Sequence, residues 1–316
     1  MTADNPDDFP YVPVREPADP AVRAGYWRTA MGLQKVDGLR PSAYAKQLAR
    51  EHVEGARGIE ETGELLRLYY RERRAEETSR SGAAAPSSPA AEREADLVSQ
   101  RIVEVLSRNA FAFSPYLLSD LHRQLFGDLD PTVYHPGEYK RDAPAKSELV
   151  LNGDSVLYAD PSMIARALAF AFDDEQDYAY APDFDTAQTD HLARFIARLW
   201  QVHPFCEGNT RTVAVFAILY LRHLGFDADN EPFERHARYF RHALVRANYR
   251  NAKAGAMPER RYLVAFLENL LCGAHHELRS RDLMVRALFD DPSLLRNVDP
   301  SQALTRNGLD VAAALD

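Results

Sequence analysis

The fold is decided by residues 186–223, which read TAQTDHLARFIARLWQV (186–202), HPFCEGN (203–209) and TRTVAVFAILYLRH (210–223). The first part predicts a helix over Thr186–Val202, because its large apolar side chains share one face of a 3.6-residue period. The third part predicts a helix from Thr210 to about His223. Its run VAVFAILYL is apolar on all sides, so we expect that helix at the centre of the core. Two strongly packed helices therefore flank a short polar loop.

The loop His203–Thr212, HPFCEGNTRT, has boundaries that the sequence itself indicates. Pro204 cannot continue a helix, and it disfavours helical backbone at the preceding residue. The first helix should therefore end near His203, and the second should begin at Asn209 or Thr210. An imidazole, a carboxylate and a guanidinium are thus placed between two rigid elements.

These residue types in this order predict phosphate chemistry. The free N–H groups at a helix N-terminus bind phosphate, Gly208 permits close backbone approach, and Arg211 adds a planar fork for phosphate oxygens. Glu207 is suited to Mg²⁺, which favours one or two carboxylates together with substrate oxygens. His203, with a reference pKa of about 6.5, could accept a proton from an attacking hydroxyl. The loop therefore predicts nucleotidyl or phosphoryl transfer.

The loop resembles the signature of the Fic (filamentation induced by cAMP) family, H-x-F-x-(D/E)-G-N-(G/K)-R. The residues that match are His203, Phe205, Glu207, Gly208, Asn209 and Arg211. The resemblance implies an all-α fold and a protein adenylyltransferase that moves AMP from ATP to a Ser, Thr or Tyr hydroxyl of a target protein. It implies that His203 is the base and Glu207 the Mg²⁺ ligand. The implied nucleotide and phosphate contacts are Cys206, Glu207, Gly208, Asn209, Thr210 and Arg211.

The resemblance also extends outside the loop. Residues 147–158, SELVLNGDSVLY, carry Asn-Gly between β-favouring runs, which predicts a hairpin. In the family such a hairpin is a flap that covers the nucleotide and pairs with the target as an added strand. The flap contacts implied for the nucleotide are Asn152, Gly153, Asp154 and Ser155. Asn248 is the implied adenosine contact, and one or two arginines of the stretch 235–250 are candidates for phosphate.

The chain divides at residues 78–91, TSRSGAAAPSSPAA, which we interpret as a flexible linker because it is small, polar and rich in proline. Residues 1–77 are then an N-terminal helical segment, residues 92–290 the catalytic domain and residues 291–316 a C-terminal tail. The N-terminal segment is below the size that usually sustains a core, so we expect it to dock on the larger domain.

The N-terminal segment contains a candidate inhibitory motif. Glu54-Gly55 matches the end of the family's inhibitory pattern, (S/T)-x-x-x-E-(G/N), although Arg50 stands where Ser or Thr is expected. Many family members carry a second arginine that pairs with this glutamate, and Ala214 stands at that position here. The resemblance implies that Glu54 enters the nucleotide site and inhibits, with Arg211 as its alternative partner.

Composition excludes several classes of function. The chain has 38 Lys and Arg against 47 Asp and Glu, a net charge of −9, which argues against a nucleic-acid partner. No apolar run approaches the roughly 20 residues that cross a bilayer, and the first residues lack the pattern of a signal peptide. Two cysteines are too few for a disulfide framework, so we expect a cytoplasmic protein without a membrane partner.

Several alternatives stay open at this point. The chain could be a non-catalytic Fic-like module that binds nucleotide or a partner protein, for which the missing second arginine is the supporting feature. It could also transfer a different phosphate-containing group. The target hydroxyl could belong to another protein or to the chain itself, and the sequence does not decide between a monomer and a homo-oligomer.

Overall fold

A computed structural model describes residues 16–79, 88–181, 184–226 and 231–296. This part of the chain is α-helical and contains no strand, which confirms the predicted all-α class. Its helices are α1 (Pro20–Leu33), α2 (Ala43–Val53), α3 (Ile59–Ser79), α4 (Ser88–Arg108), α5 (Pro115–Phe126), α6 (Pro131–Tyr134), α7 (Ile164–Gln176), α8 (Thr186–Val202), α9 (Asn209–His223), α10 (Glu231–Asn248), α11 (Arg261–Leu271) and α12 (Arg286–Asp290). Short 3-10 turns lie at Gln34–Asp37, Leu149–Leu151, Pro161–Met163, Ser280–Leu283 and Pro292–Leu294. None of the described helices is both long and apolar enough to cross a membrane.

Helix α9 lies at the centre of the core, as its apolar sequence predicts. Every residue of α9 from Asn209 to Leu221 is buried. Helix α8 packs its predicted apolar face against it, and the Asp185 carboxylate caps α8 by accepting the Gln188 N–H at 2.8 Å. The two helices end and begin at the predicted residues, so the helix–loop–helix prediction is confirmed.

The N-terminal helices share one hydrophobic core with the rest of the described chain. Helix α1, which the sequence analysis did not single out, packs against both α4 and α10. Its buried side chains include Trp27, Ala30 and Leu33, while Leu48 of α2 and Leu66 of α3 are also buried. The N-terminal segment is therefore an integral layer of the fold.

The two edges of the predicted linker belong to helices in the structure. Helix α3 continues to Ser79 and α4 begins at Ser88, so both edges of the predicted linker 78–91 are helical. The remaining residues, 80–87, lie outside the described residues. Of the predicted tail 291–316, Pro292–Leu294 forms a 3-10 turn, and residues 297–316 lie outside the described residues.

The predicted β-hairpin at residues 147–158 is wrong. Leu149–Leu151 forms a 3-10 turn, and no strand occurs in the described ranges. The Asn-Gly pair does adopt left-handed backbone, with φ of 53° at Asn152 and 93° at Gly153, as a tight turn requires. The chain reverses there, since the Glu148 N–H donates to the Asp154 carbonyl at 3.1 Å, but the Val150 carbonyl accepts the Val285 N–H at 2.9 Å and no ladder forms. A tight turn, held partly by contacts with the C-terminal region, therefore stands in place of the expected strands.

Helix α1 approaches α10 through Gly32, which provides a test of this packing. A Cβ at Gly32 would lie 2.5 Å from Glu234 Cα and 2.9 Å from the Phe233 carbonyl oxygen, and backbone atoms cannot move aside cheaply. We expect Gly32→Ala to destabilise the protein by about 1–3 kcal/mol. Gly25→Ala, in the same helix with only the end of the Arg28 side chain nearby, should stabilise it by about 0.5–1 kcal/mol. Urea unfolding measures both, and equal effects would contradict the packing.

Candidate functional site

The loop between α8 and α9 is held in shape by its own side chains. The Asn209 side chain accepts the Phe205 N–H at 3.0 Å and donates to the Phe205 carbonyl at 2.8 Å, so one amide closes the loop. The Thr210 hydroxyl accepts the Trp200 indole N–H at 2.9 Å. Asn209 and Thr210, which were predicted to bind phosphate, therefore use their side chains to position the loop.

Gly208 is required at the start of α9 for two reasons. Its φ is +75°, a left-handed conformation that side chains disfavour, and a Cβ there would overlap the ring of Phe126. The tight contact lets the loop pack directly on the last residue of α5. The free N–H groups of the first turn of α9 consequently face the loop, as the sequence predicts.

His203 ends α8 in left-handed backbone, with φ of 49°, and its side chain is only 5% exposed. Neither ring nitrogen has a hydrogen-bond partner within the described residues. The Tyr158 ring stacks on the imidazole with the ring centres 3.9 Å apart. Burial lowers the pKa of His203 well below its usual value, and the charges of Lys140, Lys146 and Arg241 lower it further. The imidazole is therefore neutral at pH 7 and can accept a proton.

Arg211 is almost completely buried, and two carboxylates hold its guanidinium. Nη2 lies 2.6 Å from the Glu94 carboxylate of α4 and 3.0 Å from the Asp37 carboxylate. Nη1 donates to the Gln34 side-chain oxygen at 3.0 Å. The arginine expected to bind phosphate thus already has anionic partners, and two of the three contacts come from the 3-10 turn Gln34–Asp37.

Asp37 bridges two arginines at the motif. Its second carboxylate oxygen accepts Arg241 Nη1 of α10 at 2.7 Å, and Arg241 also pairs with the buried Glu148 at 3.1 Å. Arg241 falls in the arginine-rich stretch that was a candidate for phosphate binding. One N-terminal carboxylate therefore connects the motif arginine with a second cation.

Glu54, predicted to be the inhibitory residue, does not lie at the motif. It caps the C-terminus of α2, where its N–H donates to the Arg50 carbonyl at 2.9 Å, and both Glu54 and Gly55 are exposed. Helix α1 packs on α10 and brings the 3-10 turn Gln34–Asp37, rather than the end of α2, to the loop in this conformation. The carboxylate at Arg211 is that of Asp37.

Glu207, the predicted metal ligand, forms an ion pair with the Lys146 ammonium and keeps about half of its side chain exposed. Around these residues the motif encloses a cavity of only about 30 Å³, lined by Asp37, Lys146, His203, Glu207 and Arg241 among others. Sites for small molecules usually measure roughly 300–1,000 Å³. In this conformation the cavity at the motif is therefore far smaller than a usual small-molecule site.

The remaining predicted contacts lie away from this cavity. Asn248 donates to the carbonyls of Ala197 and Leu244 and ties α10 to α8. In the predicted flap, Asn152 donates to the Leu288 carbonyl, and Asp154 accepts the Tyr249 hydroxyl at 2.6 Å. Asn152, Gly153, Asp154 and Ser155 are all buried, so they anchor the C-terminal region. Cys206 is a free, half-buried thiol on the loop.

His122 of α5 supports the loop and had no signal in the sequence. Its ring stacks on Phe205 at 3.9 Å, Nε2–H donates to the Glu207 carbonyl at 3.1 Å, and Nδ1 accepts the Gly137 N–H at 2.9 Å. Burial lowers its pKa to about 3. Phe205 is 1% exposed, so its ring anchors the loop in the core. Only the fold reveals His122, because it lies far from the motif in sequence.

The comparison with protein families identifies this part of the chain. The model of the Fic/DOC family matches residues 112–221, which run from the start of α5 through the loop and most of α9. The search of curated proteins finds no match. The family match covers His122, His203, Glu207 and Arg211, and it leaves out the N-terminal segment that carries Asp37.

The low pKa of His122 predicts a pH-dependent stability. As the pH falls below about 6.5, His122 becomes protonated in the unfolded chain but stays neutral in the folded one. The free energy of unfolding therefore falls by up to about 1.4 kcal/mol per pH unit from this group. His122→Gln retains a donor and an acceptor but does not titrate. We expect its free energy of unfolding to fall less steeply between about pH 6.5 and pH 5 than that of the natural chain.

Urea unfolding at several pH values measures this slope. The exposed His275→Gln is the control, and its pH dependence should match that of the natural chain. Identical slopes for His122→Gln and the natural chain would show that His122 does not contribute.

Proposed function

We propose that the chain is a protein adenylyltransferase, on the basis of the Fic/DOC family match over residues 112–221. It would transfer AMP from ATP to a Ser, Thr or Tyr hydroxyl of a target protein, which can include the chain itself. The observation that carries the proposal is His203. A neutral, buried imidazole without a hydrogen-bond partner in the described ranges stands beside the N-terminus of α9.

The proposed reaction follows from these groups. His203 accepts the proton of the target hydroxyl, and the hydroxyl oxygen attacks the α-phosphorus of ATP. The bond from the α-phosphorus to the bridging oxygen breaks, so AMP stays on the target and pyrophosphate leaves. The N–H groups of the first turn of α9 and the Arg211 guanidinium would hold phosphate oxygens.

The residues present fit a magnesium ion that arrives with the nucleotide. Glu207 offers one carboxylate, which is sufficient because Mg²⁺ takes its other ligands from phosphate oxygens and water. The carboxylate is partly exposed and already binds a cation, the Lys146 ammonium. When bound, the ion would neutralise charge on the phosphates, while Lys146 gives up its position on Glu207.

We further propose that Asp37 keeps the enzyme inactive. Its carboxylate occupies two arginines that would otherwise meet phosphate, and the cavity has no room for a nucleotide while Asp37 is in place. Movement of the 3-10 turn Gln34–Asp37 would release both arginines. Inhibition by the N-terminal segment is thus retained from the sequence prediction, with a different carboxylate.

One observation favours the alternative of a non-catalytic module. Glu94 lies 2.6 Å from Arg211 and belongs to α4, so its contact does not depend on the N-terminal turn that carries Asp37. Because Ala214 supplies no second cation there, Arg211 would have to bind phosphate while Glu94 stays close. A module that binds nucleotide weakly, or that binds only a partner protein, would have this arrangement.

A labelling experiment decides between these functions. The chain is incubated with Mg²⁺ and α-labelled ATP, alone and with a cell lysate. Asp37→Asn should increase the label by about tenfold or more, because loss of a carboxylate that bridges two arginines favours the open site by about 1.4 kcal/mol or more. Glu54→Gln, a matched loss of one N-terminal charge, should leave the label unchanged.

Further variants identify the chemistry. Adding His203→Ala to Asp37→Asn should abolish the label, and intact-mass analysis should show the mass of AMP on the product. γ-Labelled ATP in parallel detects phosphate transfer. No label in Asp37→Asn would favour the non-catalytic module. An increase of the label in Glu54→Gln would instead identify Glu54 as the inhibitory residue.

A further inference from the structure

A second cavity lies on the side of the 3-10 turn Gln34–Asp37, apart from the motif. It measures about 470 Å³ and is formed by α1, the turn, residues 38–41, the start of α2 and the start of α10. This volume is within the range of small-molecule sites, whereas the motif cavity is far smaller. No residue lines both cavities, so the second is a separate place on the molecule.

The cavity is basic although the chain as a whole is acidic. Its charged lining residues are Arg28, Lys35, Arg40, Lys46, Arg238 and a single acid, Glu234. Glu234 pairs with Arg28 at 3.1 Å and Arg238 has a partner of its own, so three further cations, Lys35, Arg40 and Lys46, converge with no other carboxylate among the described lining. In a protein with a net charge of −9, such a concentration of positive charge indicates an anionic ligand.

Two of these cations have no partner in the described ranges. Neither the Arg40 guanidinium nor the Lys46 ammonium forms a hydrogen bond or an ion pair there. Both residues are exposed, and both line the cavity. Lys35 donates to the Glu234 carbonyl at 3.2 Å, which holds its ammonium at the wall formed by α10. Arg40 and Lys46 thus offer donors suited to phosphate oxygens.

Part of the lining is apolar. Met31, Leu39 and Pro41 contribute carbon surface, and Gly32 brings the backbones of α1 and α10 together beneath it. A site with several cations and some apolar wall suits an anion that is attached to a larger group. A single small ion would fill only a fraction of the volume.

We propose that this cavity binds a small soluble molecule with two or more phosphate groups, of the class of diphosphate esters and nucleotides. The inference does not depend on the proposed catalytic function. Lys35 and Gly38 line the cavity, and Asp37 lies between them in sequence. Because the cavity walls come from both the N-terminal turn and α10, a ligand bound there favours the docked position of the turn. Occupancy would therefore strengthen the Asp37 contacts with Arg211 and Arg241.

Pyrophosphate is the probe for this site, measured by isothermal titration calorimetry on the full chain at low salt without Mg²⁺. Arg40→Gln/Lys46→Gln should weaken binding by about tenfold or more, because two charge-assisted contacts are lost. The matched control is Arg250→Gln/Lys253→Gln, which removes the same charge from exposed residues outside the cavity. A third variant, Lys146→Gln, removes a cation from the motif cavity instead. Both controls should bind pyrophosphate within about twofold of the natural chain.

The outcomes separate this site from the catalytic proposal. Loss of binding in Lys146→Gln with retention in Arg40→Gln/Lys46→Gln would place the anion at the motif and overturn the inference. Equal weakening in both double variants would show attraction to net charge only and would also overturn it, as would the absence of saturable binding. None of these readouts uses AMP transfer, so the catalytic proposal can fail while this one stands.

Discussion

The buried Arg211 guanidinium is the constraint on which the rest of the site depends. The Arg211 residue is only 2% exposed, and its charge needs anionic partners because burying an unpaired cation costs several kcal/mol of folding free energy. A site built to receive phosphate on such an arginine therefore needs a substitute anion while the phosphate is absent. Asp37 and Glu94 are that substitute here. The proposed inhibition by Asp37 and the stability of this conformation would thus both follow from one electrostatic requirement.

The position of Asp37 follows from packing rather than from the motif. Gly32 allows α1 to lie directly on α10, and the 3-10 turn that follows α1 buries Gln34 and Val36. Asp37, the last residue of that turn, consequently faces both Arg211 and Arg241. A residue outside the family match therefore contacts the matched Arg211. The same packing creates the basic cavity, because the 3-10 turn that carries Asp37 also forms part of its wall.

Sequence reasoning succeeded where the determinants are local. Pro204 ended one helix, Gly208 and Asn209 began the next, and the apolar run after Thr210 became the centre of the core. Sequence reasoning failed where one short pattern is compatible with two different local structures. The Asn152-Gly153 turn is typical of a hairpin, but the flanking residues form no strands, and the Val150 carbonyl accepts the Val285 N–H. Glu54-Gly55 fits an inhibitory motif, but that pattern also describes an ordinary helix end, which is its role here.

The sequence by itself predicted the resemblance to the Fic family, the all-α class, the polar loop between two helices, and His203, Glu207 and Arg211 as its candidate residues. These features depend on helix periodicity, on the backbone limits of Pro and Gly, and on residues adjacent in the chain. Only the tertiary structure decided that Asp37 meets Arg211 and that His122 supports the loop, because each contact joins helices distant in sequence. The state of the site also depends on burial, which lowers the pKa of His203 and makes a carboxylate partner necessary for Arg211.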